Sequence, residues 1–327
     1  MLEHGGRLNA AAMRYGIAPS AWLDLSTGIN PQGWPVPALP ARAWNRLPEP
    51  DDELIAAAQA YYRAPHIFPV AGSQAAIQVL PMLRECSRVG VIAPGYNEHA
   101  HAWRRASHDV TPLAHDQIAA AADILDVVVL IHPNNPTGQT FAREQLLQWH
   151  AQLAAKNGWL IVDEAFMDAT PEQSIAEFCA RPGLIVLRSL GKFFGLAGAR
   201  VGFVCAAPEL LQRIETQLGP WTVCGPARHV ATRALQDTAW QATARAGLLC
   251  DAQRLNQLLT KYGLKPDGGT ALFQWMATPQ AARIHEALAR QGVLTRLFDD
   301  PASVRFGLPA SEAQWQHLES ALVDAAP

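Results

Sequence analysis

Ser189-Leu190-Gly191-Lys192-Phe193-Phe194-Gly195-Leu196-Ala197-Gly198-Ala199-Arg200 is the stretch of sequence that decides the fold. It places one lysine, Lys192, among small and apolar residues, shortly after the aliphatic run 184–187, which predicts a buried strand. Burial lowers the pKa of an amine and makes it a usable nucleophile for a carbonyl compound. The stretch therefore favours Schiff-base chemistry at Lys192, with a solvated turn lysine as the alternative.

Two other motifs share some of these letters. Ser189-x-x-Lys192 matches the acylating motif of penicillin-recognising enzymes, but neither Ser-Asp-Asn nor Lys-Thr-Gly follows it. A phosphate loop of the Walker type needs a glycine where Val186 stands, and a serine or threonine where Phe193 stands. Both motifs are excluded.

Composition predicts a folded enzyme of the cytoplasm. The chain of 327 residues is 49% hydrophobic and 17% charged, and its net charge of −3 argues against nonspecific nucleic-acid binding. Its five cysteines lack any Cys-x-x-Cys pair, which favours a reducing compartment over disulfides or a zinc site. The longest aliphatic run, 127–131, is too short to span a membrane. We therefore expect neither a nucleic acid nor a membrane as partner, and no bound metal.

The order of the predicted elements indicates an α/β protein. We expect residues 1–45 to form an N-terminal arm, with a short helix at 8–15 and an extended piece at 22–26. Prolines are dense from residue 31 to residue 50, which disfavours regular helices there. From residue 46 to 225, near-continuous aliphatic strands alternate with helices, which predicts a mostly parallel sheet. Residues 226–327 read as a connecting helix and a smaller α+β domain, in which 293–298 is one strand.

Polar side chains follow three of the predicted strands. Asn135 comes after the run 127–131, Asp163 after 160–162, and Ser189 and Lys192 after 184–187. Ligands of parallel sheets bind beyond the carboxyl ends of the strands. An amide, an acid and an amine are therefore expected at one edge of the sheet.

These residues resemble the aspartate-aminotransferase-like, or fold type I, pyridoxal-phosphate enzymes over roughly residues 20 to 325. The resemblance is carried by a set of motifs in the expected order: Gly72-Ser73, Asn135-Pro136-Thr137-Gly138, Asp163-x-x-Phe166, Ser189-x-x-Lys192 with Arg200 eight residues on, and Arg305. It implies pyridoxal 5'-phosphate as cofactor, a large domain with a smaller C-terminal domain, and a homodimer.

The resemblance also implies how the chain would hold the ring of that cofactor. Lys192 would bind the cofactor aldehyde covalently and then move protons at the substrate. Asp163 would keep the pyridine nitrogen protonated, with a helix cap as the alternative. Asn135 would donate to the phenolic oxygen, and Tyr96 would lie against the ring face. A turn asparagine and a core tyrosine are the alternatives for these two residues.

The same resemblance assigns the anionic groups of cofactor and substrate. The cofactor phosphate would be held by the backbone N–H groups of Ser73 and Gln74, together with Ser189 and Arg200. Arg305 would bind the substrate carboxylate through its planar fork, with a surface arginine as the alternative.

Within the family, the N-terminus is the most specific pointer. His4-Gly5-Gly6 and the segment 23–33 resemble the start of members that decarboxylate a small phosphorylated amino acid. This makes His4 and Asn30 candidate substrate contacts, with a flexible terminus and an ordinary Asn-Pro turn as alternatives, and makes Arg296 the candidate for the substrate phosphate. An aminotransferase acting on histidinol phosphate or an amino acid is the second hypothesis, and a regulator fused to a DNA-binding module the third.

Three residues depart from the family pattern. Phe166 stands where most relatives have a tyrosine that reaches the phenolic oxygen. Leu47 stands where a tyrosine often reaches the cofactor of the neighbouring subunit, and Gly28 replaces an expected asparagine. These departures weaken the expected contacts of the cofactor, of the dimer and of the arm, respectively.

Overall fold

The computed structural model describes residues 4–49 and 52–325, and these form two compact units. One unit contains residues up to 33, 136–139 and from 243 onward; the other contains 34–135 and 140–242. The division between the units falls inside one long helix, 238–261. The predicted domain limits at residues 45 and 225 stay a prediction.

The strands in chain order are β1 (Leu23–Asp24), β2 (Ile67–Val70), β3 (Arg88–Ile92), β4 (Asp109–Leu113), β5 (Val127–Ile131), β6 (Trp159–Asp163), β7 (Leu184–Ser189), β8 (Gly202–Cys205), β9 (Gly268–Thr270), β10 (Phe273–Ala277), β11 (Val293–Leu294), β12 (Arg296–Asp299) and β13 (Ala302–Gly307).

The α-helices are α1 (Leu8–Tyr15), α2 (Arg42–Asn45), α3 (Leu54–Tyr62), α4 (Ser73–Val79), α5 (Glu98–Arg105), α6 (Ile118–Ile124), α7 (Arg143–Ala154), α8 (Pro208–Leu218), α9 (Gly225–Gln236), α10 (Thr238–Lys261), α11 (Ala281–Arg290) and α12 (Glu312–Ala325). Short 3-10 helices cover Pro19–Ala21, Leu80–Leu83, His115–Gln117, Met167–Ala169, Pro171–Gln173, Ala176–Phe178 and Ala197–Ala199.

A seven-stranded sheet forms the centre of the unit that contains 34–135 and 140–242. Its strand order is β2-β8-β7-β6-β5-β3-β4, and only β8 runs antiparallel to its neighbours. Every residue of β5 and β6 is buried, because helices cover both faces of a parallel sheet. The structure confirms the predicted mostly parallel α/β sheet.

The unit that contains both chain ends is built on a four-stranded antiparallel sheet of order β12-β13-β10-β9. Helix α1 and strand β1 belong to it: β1 pairs in parallel with β11, and Ala11 and Ala12 of α1 are buried against Ala289 and Leu294. Among residues 4–49 and 52–325, no helix combines the length and the apolar character needed to cross a bilayer.

Some local predictions were wrong. The segment 293–298 is two strands of different sheets, β11 and β12, interrupted at Thr295. The proline-dense segment contains the short helix α2, which fits between Pro40 and Pro48. The sequence also predicts a helix over 51–63 with acidic residues in its first turn; this helix, α3, begins at Leu54, and Asp51 itself lies outside the described residues.

Candidate active site

The strand ends bring the predicted polar residues to one edge of the large sheet. Asp163, at the end of β6, is in register with Ile131 of β5 and Leu187 of β7. Asn135 follows β5 and is half-buried, while its neighbour Asn134 is fully buried and donates from Nδ2 to the carbonyl oxygen of Pro94 at 2.9 Å. The parallel register thus places Asp163 beside the end of β5, the strand that leads into the loop carrying Asn135.

The carboxylate of Asp163 is buried and held from two sides. Its Oδ2 lies 2.9 Å from Nε2 of His99, and its Oδ1 accepts a hydrogen bond of 3.0 Å from the backbone N–H of Ala165. The side chains of His99 and Asp163 are only 2% and 4% exposed. A buried carboxylate of fixed orientation suits the pairing with a protonated ring nitrogen that the resemblance implies.

A second group of predicted site residues, Gly72, Ser73, Ser189 and Arg200, lies at the N-terminal end of α4. Gly202 of β8 pairs with Val70 on one side and with Ser189 on the other, so α4 begins beside the end of β7. A Cβ added at Gly202 would lie 2.4 Å from the backbone nitrogen of Ser73. The first N–H groups of a helix have no partner within the helix and attract anions.

Gly72 and Arg200 also lie at the start of α4. The space between them shows whether the guanidinium can reach a phosphate bound at this helix end. Gly72 has φ 72° and ψ 157°, a conformation that is essentially restricted to glycine. A Cβ at Gly72 would lie 2.4 Å from Nη2 of Arg200. The glycine therefore leaves room for the guanidinium beside the helix end, and the residues present fit a bound phosphate group.

Tyr96 lies near the Asp163–His99 pair and near the start of α4. Its hydroxyl donates to Oε1 of Gln74 at 3.4 Å. Burial is the main cause that raises the pKa of Tyr96 to about 12, and the carboxylates of Glu98 and Asp163 add to it. The charge of Arg200 acts in the opposite direction. Tyr96 therefore stays protonated at physiological pH, and its half-buried side chain is linked to α4 through Gln74 and is close enough to Asp163 for that carboxylate to affect its pKa.

Lys192 is half-buried in a turn, and its neighbours are aromatic: Phe166 in space, and Phe193 and Phe194 in the sequence. Its Nζ lies 5.6 Å from the ring centroid of Phe166, which is itself 5% exposed. The next two residues, Phe193 and Phe194, are buried and pack against Trp240, with Phe194 stacked on it at 5.6 Å. These contacts fix the backbone that carries the lysine, and Phe166 brings no hydroxyl to it.

In the other unit, Arg296 and Arg305 face each other across β12 and β13. They are directly opposite in the antiparallel ladder, so their side chains leave the same face of the sheet. Arg305 is 6% exposed, lies 5.0 Å from the ring centroid of Phe273, and donates from Nη2 to the carbonyl oxygen of Ser26 at 2.9 Å. Burial, with the charge of Arg296 added, lowers the pKa of Arg305 to about 9. Such a pair favours an anionic ligand.

The N-terminal segment lies beside this arginine. Asn30 is 4% exposed, and its Oδ1 accepts a hydrogen bond from the backbone N–H of Gln32 at 2.9 Å, which is the local turn weighed as the alternative for this residue. The side chain of His4 is exposed, and Gly6 donates from its backbone N–H to Oγ of Ser26 at 2.7 Å. The residues next to His4 thus reach the residue that holds Arg305.

Sequence reasoning missed His99 and a buried ion cluster. The signal for His99 was its position three residues after Tyr96: His99 lies in the first turn of α5, Tyr96 lies just before that helix, and the two rings meet edge to face with their centroids 6.2 Å apart. Arg188 forms ion pairs with Glu164 and with Asp168, the latter at 2.7 Å. The cluster ties the residue after Asp163 to the strand that ends at Ser189.

Comparison with known proteins agrees with this geometry. The family model described as "Aminotransferase class I and II" matches residues 13–322. The threonine-phosphate decarboxylase of Pseudomonas aeruginosa is 56% identical over 323 residues, which cover 99% of this chain and 98% of that protein.

Solved structures show the same fold. The histidinol-phosphate aminotransferase of Sinorhizobium meliloti, in complex with pyridoxal-5'-phosphate, superposes with a TM-score of 0.82 at 19% identity, over 99% of this chain and 95% of that one. The L-threonine-O-3-phosphate decarboxylase of Porphyromonas gingivalis gives 0.76 at 20% identity, over 91% and 98%. These likenesses confirm the predicted fold type I architecture.

Proposed function

Because the chain belongs to the family of class I and II aminotransferases, we propose that it is an enzyme that decarboxylates L-threonine O-3-phosphate. The products are (R)-1-amino-2-propanol O-2-phosphate, a building block of cobalamin, and carbon dioxide. The identity of 56% to the Pseudomonas aeruginosa protein, over nearly the whole of both chains, is the observation that carries this function. The enzyme uses pyridoxal 5'-phosphate, which supplies a conjugated ring that takes up the electron pair of the broken bond.

The chain's own residues hold the cofactor in this proposal. Asp163, oriented by His99, would bind at the ring nitrogen, and Asn135 would donate to the phenolic oxygen. Tyr96 would pack against the ring. The N-terminal end of α4, Ser189 and Arg200 would bind the phosphate. The close approach that Gly72 permits supports this last assignment.

Arg305 and Arg296 select the bond that breaks. The reaction removes the carboxylate from Cα, so the residues that bind this group would decide its orientation toward the cofactor. In the proposal Arg305 binds that carboxylate, Arg296 binds the substrate phosphate, and His4 and Asn30 are further candidate substrate contacts. Lys192 then supplies the proton that replaces the carboxylate at Cα. The shared face of the two arginines supports these roles.

An assay without a keto acid tests the function. The purified protein, loaded with cofactor, is incubated with threonine phosphate, and carbon dioxide and the amino alcohol phosphate are measured. Release of both products in equal amounts is expected. Absence of carbon dioxide, with transfer of the amino group to 2-oxoglutarate instead, would show the aminotransferase that is the second hypothesis.

We also propose a homodimer in the cytoplasm. The exposed side chains of Trp44 and Leu47 stand on the proline-rich segment, at or next to an open hollow of about 960 Å³ in the large-sheet unit, and support a protein partner there. The five free cysteines support a reducing compartment. Sedimentation at micromolar concentration should give twice the chain mass, and Trp44→Glu should shift it toward one chain mass. A parent protein that sediments as a monomer would disprove the dimer.

A further inference from the structure

Residues 23–27 form a bridge between two strands of the unit that contains both chain ends. Leu25 donates to the carbonyl oxygen of Leu294 at 2.8 Å and accepts from the backbone N–H of Gly307 at 2.7 Å. A Cβ added at Gly307 would lie 2.4 Å from the carbonyl oxygen of Thr27. Ser26, between these residues, is therefore held beside β13, the strand of Arg305.

Ser26 is linked to Arg305 and to the chain terminus at once. Its carbonyl oxygen accepts from Nη2 of Arg305 at 2.9 Å. Its backbone N–H and its hydroxyl both donate to Oδ1 of Asp24, at 2.9 and 2.6 Å. Because the hydroxyl proton is used for Asp24, the oxygen is left as an acceptor, and it accepts from the N–H of Gly6 at 2.7 Å.

Gly5 covers the same carbonyl group. A Cβ added at Gly5 would lie 2.3 Å from the carbonyl oxygen and 2.9 Å from the carbonyl carbon of Ser26. These are backbone atoms and cannot swing away. Since Ser26 is only 2% exposed, the carbonyl that receives Arg305 is covered by the terminal segment and oriented by Asp24.

We infer that Asp24, Ser26 and the pair Gly5-Gly6 are a positioning unit for Arg305, which sets the direction of the guanidinium that binds the substrate carboxylate. The inference rests on the proposed function, which assigns that carboxylate to Arg305. An arginine side chain has several rotatable bonds, and the charge of Arg296 on the same face repels it. The hydrogen bond to the carbonyl oxygen of Ser26 keeps the guanidinium of Arg305 in place despite that repulsion. Gly5 and Gly6 in turn keep Ser26 in place.

The test compares substrate with product. Ser26→Ala removes the hydroxyl but keeps the carbonyl, and Asp24→Ala removes the acceptor that orients it. Each variant is expected to raise KM for threonine phosphate about threefold to tenfold, the equivalent of one net hydrogen bond. The product lacks the carboxylate, so its inhibition constant should stay within twofold of the parent value. Ser320→Ala, an exposed serine of the same unit, is the control and should change neither value.

A second pair of variants tests the role of the terminus. Gly5→Ala keeps His4 but forces a methyl group against Ser26, and should raise KM for the substrate in the same way. Gly247→Ala, where an added Cβ meets nothing within 4 Å, should not. In the double variant Gly5→Ala/Ser26→Ala the rise in KM should be less than the product of the two single effects, because both act through one carbonyl.

The outcomes separate this inference from the proposed function. Arg305→Ala is the reference: if it leaves KM unchanged, the assignment of the carboxylate to Arg305 fails. If Arg305→Ala raises KM while Ser26→Ala, Asp24→Ala and Gly5→Ala leave it within twofold, the carboxylate assignment stands and the positioning unit is overturned. An equal rise of KM and of the product inhibition constant also overturns it, since that pattern reports general damage to the fold.

Discussion

Gly72 offers the sharpest test of the cofactor site. In Gly72→Ala, the new methyl group would lie 2.4 Å from Nη2 of Arg200, so the guanidinium has to move away from the end of α4. A charge-assisted hydrogen bond from arginine contributes about 1.5–3 kcal/mol. Its loss corresponds to a roughly ten- to hundredfold weaker affinity for pyridoxal 5'-phosphate.

A backbone effect has to be separated from this one. Alanine at φ 72° and ψ 157° is strained by about 1–3 kcal/mol, which lowers the stability of the protein without cofactor. Thermal unfolding of the cofactor-free variant measures that loss. Gly198→Ala is the matched control, because an added Cβ there meets nothing within 4 Å, and it should change neither stability nor affinity appreciably.

Titration of the cofactor-free protein, followed by its visible absorbance, gives the affinity. Pyridoxal, which lacks the phosphate, is titrated in parallel. The variant should lose affinity for the phosphorylated form and keep that for pyridoxal. An equal loss of affinity for both ligands, or less than a threefold loss of affinity for the phosphorylated one, would refute the proposed phosphate site at the end of α4.

Three further substitutions test lysine and arginine residues. Lys192→Ala should abolish turnover and the yellow colour of the bound cofactor while circular dichroism stays unchanged; retained turnover would remove the core of the proposed chemistry. Arg188→Met should lower the free energy of unfolding by about 3–5 kcal/mol in denaturant titrations, because the buried carboxylates of Glu164 and Asp168 lose their cation. Arg305→Met should lower the free energy of unfolding by less than about 2 kcal/mol in the same measurement, and yet raise KM for threonine phosphate; a stability loss as large as that of Arg188→Met would contradict this prediction.

The sequence predicted buried strands best. The aliphatic runs 160–162 and 184–187 both lie inside observed strands, β6 and β7, because strands that are buried on both faces give a continuous apolar signal in the sequence. Strand β4 was missed because it lies at the edge of the sheet, where exposed positions and Pro112 erase that signal. Helix α8 was also missed, although Pro208 at its start is a typical first helical residue.

The candidate site was predictable where chemistry dictates residue type. Lys192 and Asp163 stand out in the sequence because charged groups follow apolar runs. His99 and Ser26 do not, because a histidine in a helix and a serine in a turn are common, and their importance comes from partners 64 and 279 residues away in the chain. The roles of all these residues stay predictions until the variants are measured.

The two buried arginines separate stability from function in this chain. Burial disfavours the charge of Arg188, but the carboxylates of Asp168 and Glu164 outweigh it and hold the pKa of that guanidinium above its usual value. Burial and the charge of Arg296 instead lower the pKa of Arg305 to about 9, so its surroundings destabilise the charge that it carries at neutral pH. An anion that binds Arg305 relieves this destabilisation, and part of the binding free energy of the substrate carboxylate therefore arises from the folded protein itself. The hydrogen bond that Arg305 donates to the carbonyl oxygen of Ser26 acts in the opposite direction, because it stabilises the charged guanidinium in its buried position.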